Sequence, residues 1–406
     1  MTALVASPRI LIAFVYLLIV VGPASAEELP WLHTQGRQIV DDAGKSVVLR
    51  GVNLGGWLVE EMWMMPVVTV PPVGSGFPEI TDHGNLWHVI EKRFGHAETQ
   101  KLRSAFRNAW FGEDDLKRIR GMGFNTVRVP FLYDLLDEPD GFSWLDRVIN
   151  WAGQNGLYVI LDMHGAPGRQ SDADHTGKVG VNRFFKGAKM IARMENIWAS
   201  IARRYKDRPQ VAGYDLLNEP MGAKDSASLY AVQNRLYKAI RAVDPRHLIF
   251  VEDGYKGVNR MPRLSRFGWR NVVFSPHTYC FKAKSAQAQL GCRKQLVSQI
   301  LRKQRQSPVP FYIGEFNVEP HGRPATVKRL IGIFERHGWS WSFWTYKVVM
   351  RDGTNTLWGL YHNPDPLKEP LDPFRDTADD LKRKLSQVRT EHLVQNSALK
   401  LALASH

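Results

Sequence analysis

Eight short runs of apolar, β-branched and aromatic residues recur along the chain, and longer segments with helical spacing or loop character separate them. Such runs are typical of buried strands. The eight runs are VVLRGVNLG from Val47, FNTVRVPF from Phe124, YVILDMHG from Tyr158, VAGYDLLNEP from Val211, HLIFVEDG from His247, NVVFSPHTY from Asn271, PFYIGEFN from Pro310 and WSWSFWTY from Trp339. Alternation of strands with helices indicates parallel strands joined by helical crossovers.

Eight strands favour a closed barrel over an open doubly wound sheet. An open sheet normally has fewer strands and needs a nucleotide-type Gly-rich turn after its first strand, and the GVNLGG turn lacks that spacing. The segment after Leu145 illustrates the helices, because its apolar residues follow helical spacing and Gly156 marks its end. We therefore predict an α/β fold, a TIM (β/α)8 barrel in a single domain.

The ends of the chain set the predicted boundaries. Arg9 precedes an apolar run over residues 10–21, and the small residues 24–26 follow, which is the layout of a secretory signal. The run is shorter than the roughly 20 residues that cross a bilayer, so we expect no stable membrane insertion after cleavage. We predict a signal peptide over 1–26, the barrel over 27–386 with an insertion at about 62–107, and a C-terminal tail over 387–406, whose last residues we expect to pack weakly. The protein is then periplasmic or secreted.

The net charge of +14 predicts attraction to acidic cell-envelope polymers. The basic residues look scattered, and pairs such as Arg203 and Arg204 lie on amphipathic helices, which usually means a solvated face. We therefore expect no nucleic-acid partner. Cys280 and Cys292 either close one short loop in an oxidising compartment or remain two free buried thiols.

Polar residues stand toward the carboxyl ends of five of the eight runs, and a tryptophan stands at the end of a sixth. The working residues of a β/α barrel lie at these ends, so such residues carry more weight than polar groups elsewhere. They are Arg128, His164, Asn218, Glu219, His277, Tyr279 and Glu315, joined by Trp344. Each alone could be structural, but buried charges are costly unless they are paired or used. Their joint placement predicts a site at one mouth of the barrel.

Glu219 and Glu315 end the fourth and seventh runs, which lie on opposite sides of a narrow barrel. Glycoside hydrolysis needs two facing carboxyl groups, one to protonate the leaving oxygen and one to attack the anomeric carbon. The pair meets that need. A retaining mechanism requires the two carboxyl groups to lie roughly 5 to 5.5 Å apart.

Seven segments resemble glycoside hydrolase family 5, the cellulase-like family, and are similar to its β-1,3-glucanase branch: RGVNLGGWL, NTVRVPF, LDMHGAPG, LLNEP, PHTY, IGEFN and FWTYK. The resemblance implies that Glu219 is the acid/base, that Glu315 is the nucleophile and that Asn218 holds the sugar 2-hydroxyl. It also implies Glu61 as a ligand for sugar hydroxyls, with Glu60 as the alternative. The remaining implied substrate contacts are Arg128, His164, His277, Tyr279 and Trp344.

The expected charge states follow from these neighbours. Arg128 and Tyr279 beside Glu315 should keep that carboxylate ionised, whereas Glu219 needs a raised pKa to remain a proton donor. No cofactor is implied. Asp172, Asp174 and His175 could suggest a metal, but no further ligand motif accompanies them. We therefore expect a polar loop there and no metal.

The resemblance leaves the substrate open. The sequence departs from the family at Phe316, where relatives often carry Trp, and in the loop RQSDADHTG. A β-1,3-glucan or a related β-glucoside is favoured, with β-1,4-glucan or mannan as alternatives. Transglycosylation onto another sugar is a second activity, and a non-catalytic carbohydrate-binding protein is a remote one. Glu61 slightly favours an exo-type pocket.

Overall fold

The computed structural model describes residues 29–404, so the predicted signal peptide lies outside the described residues. The first two strands, β1 (Leu32–Gln35) and β2 (Gln38–Asp41), form an antiparallel hairpin that turns at Gly36, whose φ is +61°. A positive φ costs glycine little because it has no Cβ. The hairpin buries Leu32 and Ile39 in one apolar cluster with Ile160, Leu248 and Phe250 of the barrel strands. It therefore closes the amino-terminal end of the barrel.

All eight predicted runs form barrel strands, and the TIM-barrel prediction is confirmed. The sixth run is split at Pro276, so that nine strands make one parallel sheet in the order β8-β7-β6-β5-β4-β3-β11-β10-β9. The strands are β3 (Arg50–Asn53), β4 (Thr126–Leu132), β5 (Tyr158–Gly165), β6 (Val211–Asp215), β7 (Leu248–Glu252), β8 (Val272–Ser275), β9 (His277–Thr278), β10 (Tyr312–Phe316) and β11 (Ser340–Phe343). A parallel bridge between Phe274 and Phe311 closes the ring.

Helices cover the outside of the barrel. They are α1 (His83–Trp110), α2 (Glu113–Gly121), α3 (Gly141–Gln154), α4 (Ala188–Tyr205), α5 (Ser226–Arg241), α6 (Ala286–Gly291), α7 (Lys294–Gln306), α8 (Pro324–Arg336), α9 (Ala378–Lys384) and α10 (Ser397–Leu403). In α3 the predicted stripe of Leu145, Val148 and Ile149 is fully buried, and Gly156 follows the helix with φ +65°. Within residues 29–404 no helix is both long enough and apolar enough to cross a membrane.

The predicted insertion contains a loop followed by the long helix α1. Asp82 caps α1 by accepting a hydrogen bond from the Asn85 backbone N–H at 2.7 Å, and Gly95 interrupts the helix with φ +77°. Trp87 and Trp110 of α1 are buried against the barrel. The insertion therefore packs mainly along the side of the barrel.

The carboxyl-terminal residues pack more firmly than we expected. Three short strands, β12 (Lys347–Val348), β13 (Tyr361–His362) and β14 (Val394–Gln395), form a small sheet. Asn396 then caps α10, which buries Leu399 and Leu403 completely. The expectation of weak packing for the last residues is wrong for 397–403, because their apolar face completes the core.

Candidate active site

Glu219 and Glu315 face each other at the carboxyl end of the barrel. Glu219 follows β6 and Glu315 lies in β10. One carboxylate oxygen of each lies within 4.8 Å of the other, and His277 lies as close to both. The backbone of Glu219 has φ +40°, and its N–H donates to Oε2 of Glu252 at 2.6 Å. Glu252 thus fixes the unusual turn that aims Glu219 into the site.

Both oxygens of Glu315 accept strong hydrogen bonds. Nη1 of Arg128 donates to Oε1 at 2.8 Å, and the hydroxyl of Tyr279 donates to Oε2 at 2.7 Å. Burial and the charge of Glu315 raise the pKa of Tyr279 well above its ordinary value, so the phenol stays a donor. These contacts hold the side chain of Glu315 in a single orientation.

The pKa of Glu219 is lowered, whereas we expected it to be raised. Burial alone would raise the pKa, but a hydrogen bond from His277 and the charges of His175 and His277 lower it to about 2. Nδ1 of His277 lies 3.0 Å from Oε1, and the hydroxyl of Tyr255 donates to the same oxygen at 2.7 Å. The expectation was wrong because two histidines and a phenol surround the carboxyl, none of which the fourth run itself reveals.

Arg128 is a fully buried hub below the two glutamates. Besides Glu315, it contacts Asp215 at 2.9 Å and Asn218 at 2.9 Å. Its Nη2 also lies 3.1 Å from oxygens of Asp162 and Glu252. Burial raises the pKa of Asp162 and of Asp215 to about 6 against the opposing charge of Arg128. The guanidinium therefore neutralises a ring of carboxyl groups instead of facing the cavity.

His164, Asn218 and Trp344 form one wall of the site. The rings of His164 and Trp344 are stacked, with centroids 5.6 Å apart and an interplanar angle of 8°. Nδ1 of His164 lies 2.6 Å from Oδ2 of Asp162, and burial lowers the pKa of His164 well below its ordinary value. The amide of Asn218 donates to Nδ1 of His175 at 3.1 Å. The wall offers a flat aromatic face beside fixed polar groups.

The structure separates the neighbouring residues Glu60 and Glu61. Glu61 borders the cavity and accepts a hydrogen bond from Nε1 of Trp63 at 2.8 Å, while its Oε1 has no partner among the described residues. Glu60 points toward α1, where it contacts His83 and accepts from Nε1 of Trp87 at 3.2 Å. Burial and the charge of Asp174 raise the pKa of Glu61.

These groups surround a cavity of about 400 Å³. Arg128 and His277 lie behind its surface, whereas the other predicted site residues border it. The lining residues are Glu61, Trp63, His164, Ala173, Asp174, His175, Asn218, Glu219, Met221, Tyr255, Tyr279, Phe281, Glu315, Trp344 and Trp358.

Several residues that line the cavity were not predicted from the sequence. His175, which we placed in a polar loop, is buried, with Nε2 3.6 Å from Oε2 of Glu219. Gln170 folds that loop inward by donating to the backbone oxygens of His164 and Asn218. Tyr255 directly follows the fifth run, so its position at a strand end was the available signal. Trp358 lies in a loop beyond the last barrel strand, and no feature of the sequence near it predicted a place in the cavity.

Two groups of described residues have the spacing to hold a cation. The first is Glu219, His277 and Glu315, and the second is Asp162, Asp215 and Glu252. In the second, the guanidinium of Arg128 already supplies the positive charge. In the first, the buried His277 lies between the glutamates and is itself held as a cation, because neighbouring carboxylates raise its pKa against the effect of burial. Our prediction of no metal stays a prediction.

A disulfide supports the rim of the cavity. Cys280 is bonded to Cys292, and it lies between Tyr279 and Phe281 in the chain. The rings of Tyr279 and Phe281 stack with centroids 5.3 Å apart, and Phe281 is 63% exposed. Of the two alternatives left by the sequence, the structure shows the closed loop.

A family model described as cellulase, glycosyl hydrolase family 5, matches residues 94–348. A β-xylosidase of Phanerodontia chrysosporium is 27% identical over 359 residues, which cover 79% of this chain and 71% of that protein. A probable glucan 1,3-beta-glucosidase A of Aspergillus niger is 30% identical over 266 residues, which cover 63% of this chain and 61% of that protein. The match thus spans less than two thirds of this last relative.

The fold is shared with solved structures. The catalytic domain of an endoglucanase from Thermobifida fusca has a TM-score of 0.54 and 18% identity, with 87% of this chain and 96% of that chain covered.

Proposed function

Because this chain belongs to glycosyl hydrolase family 5, we propose that it is a retaining β-glycosidase with Glu315 as nucleophile and Glu219 as acid/base. The observation that carries this proposal is the distance of at most 4.8 Å between an oxygen of Glu219 and an oxygen of Glu315. Retaining enzymes separate their carboxyl groups by about 5 to 5.5 Å, and inverting enzymes need about 6.5 to 9.5 Å to admit a water. This short approach supports the retaining mechanism.

In the first step Glu315 attacks the anomeric carbon while the glycosidic oxygen takes a proton from Glu219. Arg128 and Tyr279 orient the attacking carboxylate through the two hydrogen bonds to its oxygens. The proton comes from the pair of Glu219 and His277, because an imidazolium 3.0 Å from Oε1 can move its proton onto the carboxylate as negative charge develops on the leaving oxygen. A covalent glycosyl ester on Glu315 results.

In the second step Glu219, now a carboxylate, takes a proton from a water that attacks the same carbon from the opposite side. Glu315 leaves as a carboxylate and the pair with His277 regains its proton. Two inversions at one carbon retain the β configuration. Trp344 supports the sugar through its apolar ring face, and the fixed amide of Asn218 is placed for a sugar hydroxyl.

The proposed substrate is a β-1,3-glucan or a related β-glucoside. The relatives named glucan 1,3-beta-glucosidase support this choice. Glu61, with its unpartnered oxygen, supports removal of sugars from a chain end, because a buried carboxyl at a pocket wall is suited to bind terminal hydroxyls. The alternative substrates, β-1,4-glucan and mannan, would bind in the same cavity.

Transglycosylation is a second candidate activity. The exposed ring of Phe281 stacks on Tyr279 beside the nucleophile and offers a face on which an acceptor sugar can pack. An acceptor bound there would compete with water for the glycosyl ester. Product sizing against substrate concentration separates the two reactions, because transfer yields products longer than the substrate.

We also propose that the protein is exported. The layout of residues 9–26 and the disulfide between Cys280 and Cys292 support this, because disulfides persist in oxidising compartments.

A matched pair of variants tests the catalytic roles. Glu315→Gln should lose at least about a thousandfold in kcat on every β-glucoside. Glu219→Gln should lose comparably on a laminari-oligosaccharide, whose leaving group needs a proton, but far less in the glycosylation step of a dinitrophenyl β-glucoside, which needs none. Equal losses on both substrates for both variants would contradict the assignment.

A further inference from the structure

The positive charge of this protein is concentrated, contrary to our expectation of scatter. Residues 254–314 contain 12 Lys and Arg residues and no Asp or Glu, which accounts for nearly all of the net charge of +14. Runs of this length without any acidic residue do not arise from a mixed, solvated surface. The segment runs from the end of β7 to the middle of β10 and includes α6 and α7.

Most of these cations are exposed to solvent and form no ion pair. Arg293 and Lys303 are buried and Lys256 is half-buried, while the other nine are exposed. None of the nine forms an ion pair with a carboxylate within residues 29–404, whereas basic residues elsewhere, such as Arg204 and Arg235, do. We call these nine exposed cations the basic strip.

The basic strip extends along the full height of the barrel. Lys282 and Lys284 follow β9 at the mouth, next to the cavity residue Phe281. Arg270 precedes β8, and Arg305 lies in the last turn of α7, so both are at the opposite end. The cations at this opposite end, the lower part of the strip, come from the segment after β7 and from α7. The two segments are adjacent, because Nζ of Lys303 in α7 donates to the backbone oxygen of Met261.

Arg263 of the basic strip lies close enough to the buried Lys303 for their charges to repel. Burial lowers the pKa of Lys303, and the neighbouring charge of Arg263 lowers it further. Like charges held together on a rigid surface raise the free energy of the unbound protein, and an anion bound across them relieves that repulsion.

We propose that the basic strip binds an acidic polysaccharide, a chain bearing carboxylate or sulfate groups, along the barrel side and up to the rim of the catalytic cavity. The saccharide part of this inference rests on the proposed glycosidase function, since the strip begins at the rim of the cavity. Cations at the mouth, along α7 from Lys294 to Arg305, and at the opposite end of the barrel match the repeating charges of a linear chain.

The placement argues against the other large anions. A membrane is flat and cannot touch both the mouth and the opposite end of the barrel side while the mouth faces it. Single-stranded nucleic acid is usually bound by exposed aromatic rings that alternate with the cations. Around the cations far from the cavity, Trp269 is buried and the guanidinium of Arg266 lies over the ring of Phe267, while the exposed rings of Phe281 and Tyr255 lie at the cavity, where a sugar packs. A sugar chain needs neither a plane nor stacked bases.

The test uses a variant in which four exposed cations at the lower part of the strip are replaced by glutamine: R263Q, R266Q, R302Q and R305Q. A control variant removes four exposed, unpaired cations on or beside α4: R183Q, K186Q, K189Q and R203Q. Both variants change the net charge equally and leave every residue of the cavity intact. Binding to polygalacturonate is measured at several salt concentrations, with laminarin as the neutral polymer, and with a DNA duplex and phosphatidylglycerol vesicles as other anions.

We expect the strip variant to bind polygalacturonate at least about tenfold more weakly than the wild type and with a shallower salt dependence, while the control variant binds like the wild type. Equal binding by both variants would overturn the proposal, as would tighter wild-type binding to DNA or to vesicles at matched salt. Turnover of an aryl β-glucoside is followed in parallel and should be unchanged in both variants. If the wild type shows no turnover but the two variants still differ in binding, the proposed glycosidase function is wrong. The proposed binding of an acidic polymer by the basic strip then stands alone.

Discussion

Nδ1 of His277 lies 3.0 Å from Oε1 of Glu219, which makes the two residues one proton-sharing pair. Carboxylates of Glu252 and Glu315 also face the imidazole, at 3.3 and 3.6 Å. They raise the pKa of His277 well above its ordinary value despite burial, while the pKa of Glu219 falls to about 2. The two shifts have opposite directions, which favours a proton on His277 and a negative charge on Glu219, so Glu219 acts as an acid together with His277.

The pH dependence of catalysis tests this pair. The raised pKa of His277 means that its proton is lost only as pH rises through a value above the ordinary 6.5, so the alkaline limb of kcat/KM should lie above pH 6.5. His277→Gln leaves Glu219 to carry the proton itself and should move the alkaline limb to lower pH. An unchanged limb in a variant that unfolds at the wild-type temperature would contradict the shared proton.

Glu61 and Glu60 should behave oppositely when replaced. Glu61→Ala removes a cavity group and should raise KM about tenfold with little change in Tm. Glu61→Gln should stay closer to wild type than Glu61→Ala, because burial raises the pKa of Glu61 and so favours its uncharged form, which glutamine resembles in shape and hydrogen bonding. Glu60→Gln, which disrupts the buried pair with His83, should lower Tm and leave KM unchanged. Kinetics and thermal melts of the three variants check this, and a KM effect at Glu60 would reverse the assignment.

The eight strands and the two glutamates could be predicted from the sequence because both depend on local order along the chain. Buried strands have a short apolar pattern, and the position of a strand determines where a residue at its end lies. His175 and Trp358 could not be predicted in the same way. Each reaches the cavity from a loop, and the loop path is fixed by distant contacts, such as the hydrogen bonds from Gln170 to His164 and Asn218.

The charge state of Glu219 was missed for a related reason. A carboxyl in a barrel mouth is expected to have a raised pKa through burial, which is the largest single effect on Glu219. The outcome is set by residues from other parts of the chain: hydrogen bonds from His277 and Tyr255, and the nearby His175. Only their positions in space show that they converge on this one side chain.

The disulfide should support activity as well as stability. Cys280 lies between Tyr279, which holds Glu315, and Phe281 at the rim. Replacing both cysteines by serine frees a loop that the bond closes over 12 positions, which should cost about 3 kcal/mol of stability by loop entropy. We expect a lower Tm and a reduced kcat. Full activity in the double variant would show that other contacts, such as those of Arg293 with the backbone of Thr278 and Asn317, suffice to hold Tyr279.

Acid sensitivity of the fold should depend partly on Asp244. Burial would raise its pKa, but hydrogen bonds from His247 and Tyr214 lower the pKa to about 2. A depressed carboxyl pKa adds stability above the unfolded value near 3.8, and this stability is lost as pH falls from 3.8 toward 2. Asp244→Asn should therefore cost roughly 1–3 kcal/mol at pH 7 and progressively less below pH 4. Chemical denaturation at several pH values measures this, and a pH-independent difference would refute the pairing.

The central claim is that Glu315 forms the covalent intermediate. A 2-deoxy-2-fluoro β-glucoside with a good leaving group should form the glycosyl ester and hydrolyse it slowly, so that the labelled enzyme accumulates. Peptide mass spectrometry should then place one fluoroglucosyl group on Glu315, and Glu315→Gln should take up none. A label on any other residue, or complete turnover with inverted configuration and no label, would contradict the proposed mechanism.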